Sequence, residues 1–518
     1  MDVVTINSML RPENPFIRLN FSDNVVVARV ALSVGATVQF EGREIKLRQA
    51  VGAGHKVAVQ PIAAGGTVYK YGENIGRAGS NIEAGDLVHV HNLQFDVGSR
   101  QYEFATTLSD LAAIPSLKAN TFLGYPRADG RVGTRNFVAI VGASNCAAYA
   151  TEQMEARFAK ESFEGTGIDG VIAFPHVDGC GQAEGPDIQQ LRRTLEGLAD
   201  HPNVAAAIVV GLGCEVNQIS YYMRPDRSGG NGAPRRGFTL QESGGTTQVV
   251  SDGAKAIWEM IDEVGKAQRV RCPTSKLVVA LECGGSDAFS GITANPSVGY
   301  FSDLLVKQGG TVCLAETTEV LGAEHLLTRR AVSRGVGEKL LEKIEWYKQY
   351  VDGFGLGISF DSNPSPGNKA GGLTNIAEKS LGAVAKAGTS NLTAVYDFAE
   401  RITSSGFVFM NTPGYDPTSV TGMAAGGCNI CLFTTGRGSA FGFPTIPVVK
   451  IASNSTMGLH MDGDMDINCG TVAEGEEDIP SAGRRIHSFV LETASGRKTF
   501  SETLGHREFI PWRIGPVL

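Results

Sequence analysis

Short runs in which apolar and polar residues alternate, broken every few positions by Gly, Asn or Asp, fill the first ~110 positions of the chain. Ile17–Asn20, Val25–Val30, Thr37–Phe40, Lys56–Val59, Val68–Tyr71 and Leu87–His91 all have this form, and none carries the apolar spacing of a helix. Alternation between turn residues marks half-buried strands, so residues 1–110 are predicted to form a small all-β domain, followed by a linker over 111–124. From Asn136 the pattern changes. Phe137–Val141, Gly170–Phe174 and Val204–Val210 are continuous apolar runs that read as buried strands. Between and after them, Leu191, Leu195 and Leu198, then Ile257, Met260, Ile261 and Val264, recur at helical spacing.

Strands alternating with helices predict a middle α/β domain with a mostly parallel sheet over 125–270. The Gly/Pro/Arg-rich stretch Asp226–Gly245 is expected to interrupt it as a loop. Arg271-Cys-Pro-Thr274 then leads into a larger α/β domain over 271–518. Its expected strands are Thr311–Leu314, Phe407–Met410, Ile430–Thr434 and Ile446–Ile451, with a helix over Lys339–Tyr350.

Composition narrows the function classes. A chain of 518 residues is too long for one core, and 65 glycines imply many tight turns and backbone-lined sites. The net charge of −8, with no Lys/Arg block against it, excludes a nucleic-acid partner. The longest apolar run, Val204–Cys214, is too short to span a membrane, and Met1–Asn7 does not read as a secretory signal. Nine cysteines, an odd number scattered beside glycines, fit reduced thiols and a cytoplasmic setting.

Chemistry concentrates where apolar runs end. Leu277–Leu281 leads into Glu282-Cys-Gly-Gly-Ser-Asp-Ala-Phe-Ser290, a loop that offers close backbone approach beside Cys283, Ser286 and Asp287. Cys146, Cys180 and Cys214 end other apolar segments, and parallel neighbours would bring such ends to one crevice. With His176 they could hold iron or another transition metal; the alternative is that each cysteine packs as a small hydrophobe. His89 and His91 would share one face of a strand, a spacing suited to two metal ligands. His55, in Gly52-Ala-Gly-His55, is expected to face a cleft. His201, His487 and His506 are expected at the surface, while His325, Cys272, Cys313 and the Cys428/Cys431 pair read as structural. Arg135, Asn368, Lys369 and Arg437 are placed to meet an anion, Arg437 between glycines suiting a bidentate carboxylate contact. Asp462, Asp464 and Asp466 could bind a hard cation or supply a base. Gly211-Leu-Gly213 lacks the third glycine of a dinucleotide fingerprint, and no phosphate loop is present.

These residues sit in longer motifs: Gly54–Ala58, Lys70–Glu73, Arg127–Asn136, Gly211–Glu215, Glu282–Pro296, Asn363–Lys369, Thr434–Gly438 and Asp466–Asn468. In that order the chain resembles the altronate/galactarate dehydratase family over nearly its whole length. The resemblance implies an N-terminal SAF-like (β-clip) domain and two α/β domains. It also implies dehydration of a small-molecule sugar acid to a 2-keto-3-deoxy acid, with a divalent metal: iron(II), or manganese(II) as the alternative. Removing the C2 proton and expelling the C3 hydroxyl requires a base, an acid and positive charge against the enolate. His55, Asp466 and Lys369 are the catalytic candidates; Arg135, Asn368, Arg437, Ser286, Asp287, Lys70 and Tyr71 are candidates for holding the substrate. Cys146, His176, Cys180, Cys214, Cys283, His89 and His91 are the pool of metal candidates, and a homo-oligomer is the expected assembly. Asp178 stands where typical members carry Tyr before Gly-Cys, which leaves the acid open. A related branch cleaves sulfite from sulfolactate, usually with the SAF-like portion as a separate subunit. A non-catalytic carbohydrate- or anion-binding protein is the reading from another class.

Overall fold

A computed structural model describes residues 14–96, 98, 101–116, 120–223, 230–355 and 362–517. Parts of the expected linker (117–119) and of the expected loop (226–229) lie outside the described residues. The N-terminal domain is entirely antiparallel. Its central sheet runs in the order Phe16–Ile17, Val25–Ala28, Lys56–Ala58, Leu87–Val88. Two hairpins flank it, each closed by two residues with positive φ: Glu41 and Gly42, then Tyr71 and Gly72. Such turns match the strand twist but cost a bulky residue steric strain. Asp23 offsets that cost at Tyr71, its carboxylate accepting the N–H groups of Tyr71 and Gly72 at 3.1 and 2.7 Å.

The middle domain has a four-stranded parallel sheet in the order Gly170–Phe174, Phe137–Gly142, Val204–Gly211, Arg235–Thr239. The last strand lies inside the stretch expected as a loop, so Arg235–Thr239 corrects that reading. Its edge position explains the weak signal, for only Thr239 of the five is buried. The helix Pro186–Ala199 buries Leu191, Leu195 and Leu198 in a core shared with the C-terminal domain, and the helix Thr246–Val264 packs on the opposite core.

The C-terminal domain carries seven parallel strands. Their order is Leu392–Tyr396, Gly406–Met410, Thr311–Leu314, Val278–Cys283, Ile430–Thr435, Val448–Ala452, Ile467–Asn468. The expected helix is present as Arg334–Asp352. A small antiparallel sheet, Val132–Gly133, Thr121–Pro126 and Val270–Pro273, joins the segments that enter and leave the middle domain.

The N-terminal domain docks on the C-terminal one through buried charge. Lys56 Nζ donates to both oxygens of Glu378 at 2.9 Å and to the Gly372 carbonyl at 2.8 Å; Lys70 Nζ donates to Glu378 Oε1 at 2.8 Å. All three side chains are no more than 1% exposed. The Thr374 N–H and hydroxyl complete the shell of the carboxylate, and Asn375 Nδ2 reaches across to the Ile75 carbonyl at 2.7 Å. The two ammonium groups hold the Glu378 carboxyl far below its ordinary 4.5 in spite of burial, while desolvation brings Lys56 down to about 8. Glu378 therefore contributes stability above its ordinary pKa, and this is lost as pH falls toward the folded value.

Glu378→Ala is expected to weaken docking by about 3–5 kcal/mol, because two buried cations lose their counter-charge. Amide hydrogen exchange of residues 14–96 should then rise above that of the rest of the chain. Replacing the triad together (Lys56→Met, Lys70→Met, Glu378→Leu) should recover most of the protection; unchanged exchange in Glu378→Ala would show that the triad does not secure the domain.

Candidate active site

In the seven-stranded sheet, successive strands are added on one side of Val278–Cys283 and later ones on the other. The loops after Val278–Cys283 and its neighbour Ile430–Thr435 therefore diverge, which opens a crevice at their carboxyl ends. The N-terminal domain closes one side of it. The resulting cavity, about 790 Å³, is lined by Arg29 and Ala53 from the N-terminal domain and by Asp287, Arg437, Asn454 and His460 from the other.

Asp287 is the hub of this cleft. Its buried carboxylate accepts hydrogen bonds from Ser290 N (2.8 Å), Ser290 Oγ (2.9 Å), Ser453 Oγ (2.7 Å) and Asn454 Nδ2 (3.0 Å). Burial nevertheless raises its pKa. A Cβ at Gly436 would lie 2.1 Å from the Asp287 carboxyl carbon, so only glycine lets the Thr434–Gly438 loop pass. That passage leaves Arg437 exposed at the cleft, its N–H anchored to the Gly285 carbonyl at 2.8 Å. Among the described residues no carboxylate pairs with its guanidinium. Asn368, expected on the substrate, instead ties loops together: Oδ1 accepts from Ser365 N and Nδ2 donates to the Ser286 carbonyl. The Ser286 hydroxyl is buried with no protein partner among the described residues.

Two histidines meet beside the same wall. His55 and His89 stack with centroids 5.4 Å apart and planes 26° apart. His89 Nε2 donates to the Lys369 carbonyl at 2.9 Å, next to the lining residues Ala370 and Gly371. His55 Nδ1 donates to the Ala53 carbonyl at 3.3 Å. Carbonyls only accept, so these contacts fix the neutral tautomers: His55 keeps its lone pair on Nε2 and His89 on Nδ1. Burial lowers both pKa values, which favours the neutral rings. The strand ends at Val88, and His89–Asn92 is a turn with Asn92 N donating to the His89 carbonyl. His91 therefore does not share a face with His89; it is exposed.

Cys283 faces a buried acidic cluster behind the cleft loop. Its thiol donates to Glu319 Oε2 at 3.4 Å and Glu316 Oε2 at 3.6 Å. Lys386 Nζ lies 3.4 Å from Glu316, Lys379 pairs closely with Glu319, and Ser419 Oγ donates to Glu282 Oε2 at 2.7 Å. Burial and mutual repulsion raise the pKa values of Glu282 and Glu316 and bring Asp416 up to about 7. Glu282 Oε1 and Glu316 Oε1 are buried without a partner among the described residues. Donor atoms of Cys283, Glu316 and Glu319 lie within 4.8 Å of one another, as do those of Glu282, Glu316 and Asp416. One thiol, clustered carboxylates and orphaned oxygens fit a divalent transition ion.

Several expected site residues have other tasks. Arg135 is saturated: Glu502 takes Nε and Nη2 at 2.7 and 2.8 Å, and the Thr134, Thr493 and Arg497 carbonyls take the rest. It clamps the middle domain to the C-terminal one and is absent from the cleft lining. Lys70 belongs to the docking triad, and Tyr71 is buried beneath it with Lys70 Nζ 4.7 Å from its ring. Asp466 accepts the Lys450 and Phe500 N–H groups at 2.9 and 3.0 Å; burial brings it up to about 6, but it is likewise outside the lining. Both ring nitrogens of His176 are taken by backbone, from Gly142 O at 2.7 Å and Asp178 N at 3.2 Å, so it pins a turn rather than offering a ligand atom. Cys146, Cys180 and Cys214 gather at the carboxyl edge of the middle sheet, with Cys180 and Cys214 among the groups acting on the Cys146 thiol. His201 and His487, expected at the surface, are buried, whereas His506 is half-buried beside Lys450. Glu378, Glu316, Glu319 and Lys379 were not singled out in the sequence; Ala315-Glu-Thr-Thr-Glu319, directly after a strand, is the signal that marks two of them.

Comparison with known proteins matches three successive family models. They are the altronate/galactarate dehydratase SAF domain at residues 14–96, the D-galactarate dehydratase/altronate hydrolase second domain at 124–265, and the D-galactarate/altronate dehydratase C-terminal domain at 274–517. The altronate dehydratase of Escherichia coli (strain K12) is 35% identical over 508 residues, covering 97% of this chain and 100% of that protein. The galactarate dehydratase (L-threo-forming) of the same organism is 35% identical over 530 residues, covering 99% of each. The (2R)-sulfolactate sulfo-lyase subunit beta of Chromohalobacter salexigens is 35% identical over 399 residues, covering 77% of this chain and 98% of that subunit.

Because Arg135 is spent on the domain junction, Arg135→Ala is expected to lower Tm by several degrees, the mark of a lost buried charge pair. Once the protein is assayed below that Tm, KM for any acid substrate should stay within about twofold of the parent. A large rise in KM with an unchanged Tm would return Arg135 to the substrate.

Proposed function

The chain belongs to the D-galactarate/altronate dehydratase family, and on that premise we propose that it is a metal-dependent hydro-lyase converting a sugar acid to its 2-keto-3-deoxy acid. One observation carries this reading. The cleft lining brings together an exposed arginine and a buried carboxyl with raised pKa, and the histidine pair with lowered pKa packs behind that lining through the Ala53 and Lys369 carbonyls. The lowered histidine pKa favours the neutral ring that a base needs, and the raised carboxyl pKa favours the protonated form that an acid needs.

In this reading Arg437 holds the substrate carboxylate, and the Lys369 carbonyl fixes the His89 ring behind the same wall. His55 Nε2 takes the C2 proton. The C3 hydroxyl leaves as water with a proton from Asp287, which takes the second place that the sequence assigned to Asp466. The enol so formed tautomerises to the keto acid. Cys283, Glu316 and Glu319 would hold the divalent ion, which when bound supplies positive charge against the enolate. Excluding water by docking the N-terminal domain over the cleft strengthens each of these interactions.

The class is tested on chelator-stripped protein under anaerobic conditions, with and without added Fe(II) or Mn(II), against hexonates, hexarates and sulfolactate. Metal-dependent keto-acid formation from a sugar acid is the expected result. Sulfite release would assign the chain to sulfolactate cleavage, and ligand binding without turnover to the non-catalytic class.

His55→Ala is expected to lower kcat by about 10²–10⁴ with Tm unchanged. A base must be neutral, and burial lowers the pKa of His55 from 6.5, so the acid limb of kcat/KM should lie below that value, while the alkaline limb follows loss of the Asp287 proton. Near-normal turnover of His55→Ala would remove it from proton transfer.

A further inference from the structure

Away from the cleft, three thiols converge on the middle domain. The strands Gly170–Phe174, Phe137–Gly142 and Val204–Gly211 are adjacent and parallel, and each delivers one cysteine just past its carboxyl end: Cys180, Cys146 and Cys214. We propose that these three cysteines hold an iron–sulfur cluster through three protein thiolates, with one iron left open to a ligand from outside the protein.

The loops are locked together backbone to backbone. Asn145 N donates to the Asp178 carbonyl at 2.8 Å, Val216 N to the Cys180 carbonyl at 3.1 Å, and Asn217 N to the Gly179 carbonyl at 3.0 Å. Gly179, at φ +92°, lies so close that a Cβ would be 2.3 Å from the Ala143 carbonyl oxygen. This packing holds the three thiols in one corner without a disulfide, and all three are free. Cys146 and Cys180 are half-buried and Cys214 is exposed, so the corner is open to assembly and to an outside ligand.

The donor set decides the kind of metal centre. The ionisable groups acting on the Cys146 thiol are Cys180, Glu215 and Cys214, and the Glu215 carboxylate is already spent on the Leu212 and Gly213 N–H groups. His176 offers no free ring nitrogen. What remains is three soft sulfurs, which select zinc, copper(I) or iron–sulfur centres. Spacing separates these. Metal–sulfur bonds of about 2.3 Å in a tetrahedral site put sulfurs about 3.8 Å apart. Among the described residues, the triads of donors within 4.8 Å of one another are the two around Glu316, so at least one side of the thiol triangle is longer than that, although Cys146 and Cys180 lie within hydrogen-bonding reach. A wider triangle suits the corners of a cluster.

The surroundings agree. Gln241 Nε2 donates to Cys214 Sγ at 3.3 Å, the kind of contact to sulfur that tunes a cluster's potential. Cys146 lies in the first turn of the helix Asn145–Ala156, whose N–H groups favour the negative charge of a thiolate cluster. Beside it the buried Ser144 hydroxyl has no protein partner among the described residues.

The test uses the full chain, reconstituted anaerobically with ferric and ferrous iron and sulfide and then desalted. Iron and acid-labile sulfide are measured, together with the visible absorption band that bleaches on reduction and the electron paramagnetic resonance of the reduced protein. The expected result is bound labile sulfide with both spectra. Cys146→Ser, Cys180→Ser and Cys214→Ser should each lose most of it while keeping the far-ultraviolet dichroism of the parent. Cys272→Ser and Cys283→Ser should retain it. Iron or zinc bound without labile sulfide, or full sulfide in any of the three variants, would overturn the assignment. The reading of the cleft is independent: His55→Ala should keep the cluster whether or not it keeps turnover.

Discussion

Two lysines from one domain close on one glutamate of another, and the cleft exists because they do. Arg29 and Ala53 line the cleft from the N-terminal domain, and His89 of that domain meets the Lys369 carbonyl of the other, contacts made only in the docked arrangement. Burying three charges together is costly, and the site offsets this by geometry: five hydrogen bonds, from Lys56, Lys70 and Thr374, converge on the Glu378 carboxylate. The hairpin that ends at Tyr71 supplies Lys70, and Asp23 holds that hairpin's strained turn. A local backbone cost is thus accepted where it positions an interdomain charge.

Within the large domain, sheet topology does the equivalent work. Strands diverging on either side of Val278–Cys283 separate the loops that follow, and glycines let those loops pack edge to edge. Asp287 then ties two segments to one carboxylate: its own loop through Ser290, and the strand end at Ser453 and Asn454. The Arg437 backbone is anchored while its side chain remains exposed, so the cation is presented to the cleft from a fixed backbone position. The same strands carry the acidic cluster on their other loops, with Glu316 itself in the left-handed region at φ 65°.

Strands and helices were legible where periodicity is strong. The apolar runs ending at Cys146, Cys180, Cys214 and Cys283 lie where the parallel-strand reading puts them, because a strand buried on both faces has little choice of residue. Readings failed where a residue's task depends on a distant partner. Val88-His-Val-His91 alternates like a strand, but Asn92 turns the chain back on His89 and separates the two rings. Arg135 looks like an anion site until Glu502, far along the chain, occupies it. Lys70 and Tyr71 were legible as important, though Glu378 decides their use. His201 has no polar neighbours in sequence, yet both of its nitrogens find backbone partners in the core, at the Cys428 carbonyl and Asn203 N. Isolated acids such as Glu316, Glu319 and Glu378 carry no local sign of burial, since only the fold gathers their counter-charges.

The helix Ile376–Ala383 has a further consequence. Glu378 and Lys379 are consecutive residues on it, and they face different neighbours: Glu378 receives Lys56 and Lys70, while Lys379 pairs with Glu319 in the acidic cluster. One short rigid rod therefore spans the two charge networks like the beam of a balance. The small domain and the acidic cluster are anchored on the same helix by adjacent residues of opposite charge.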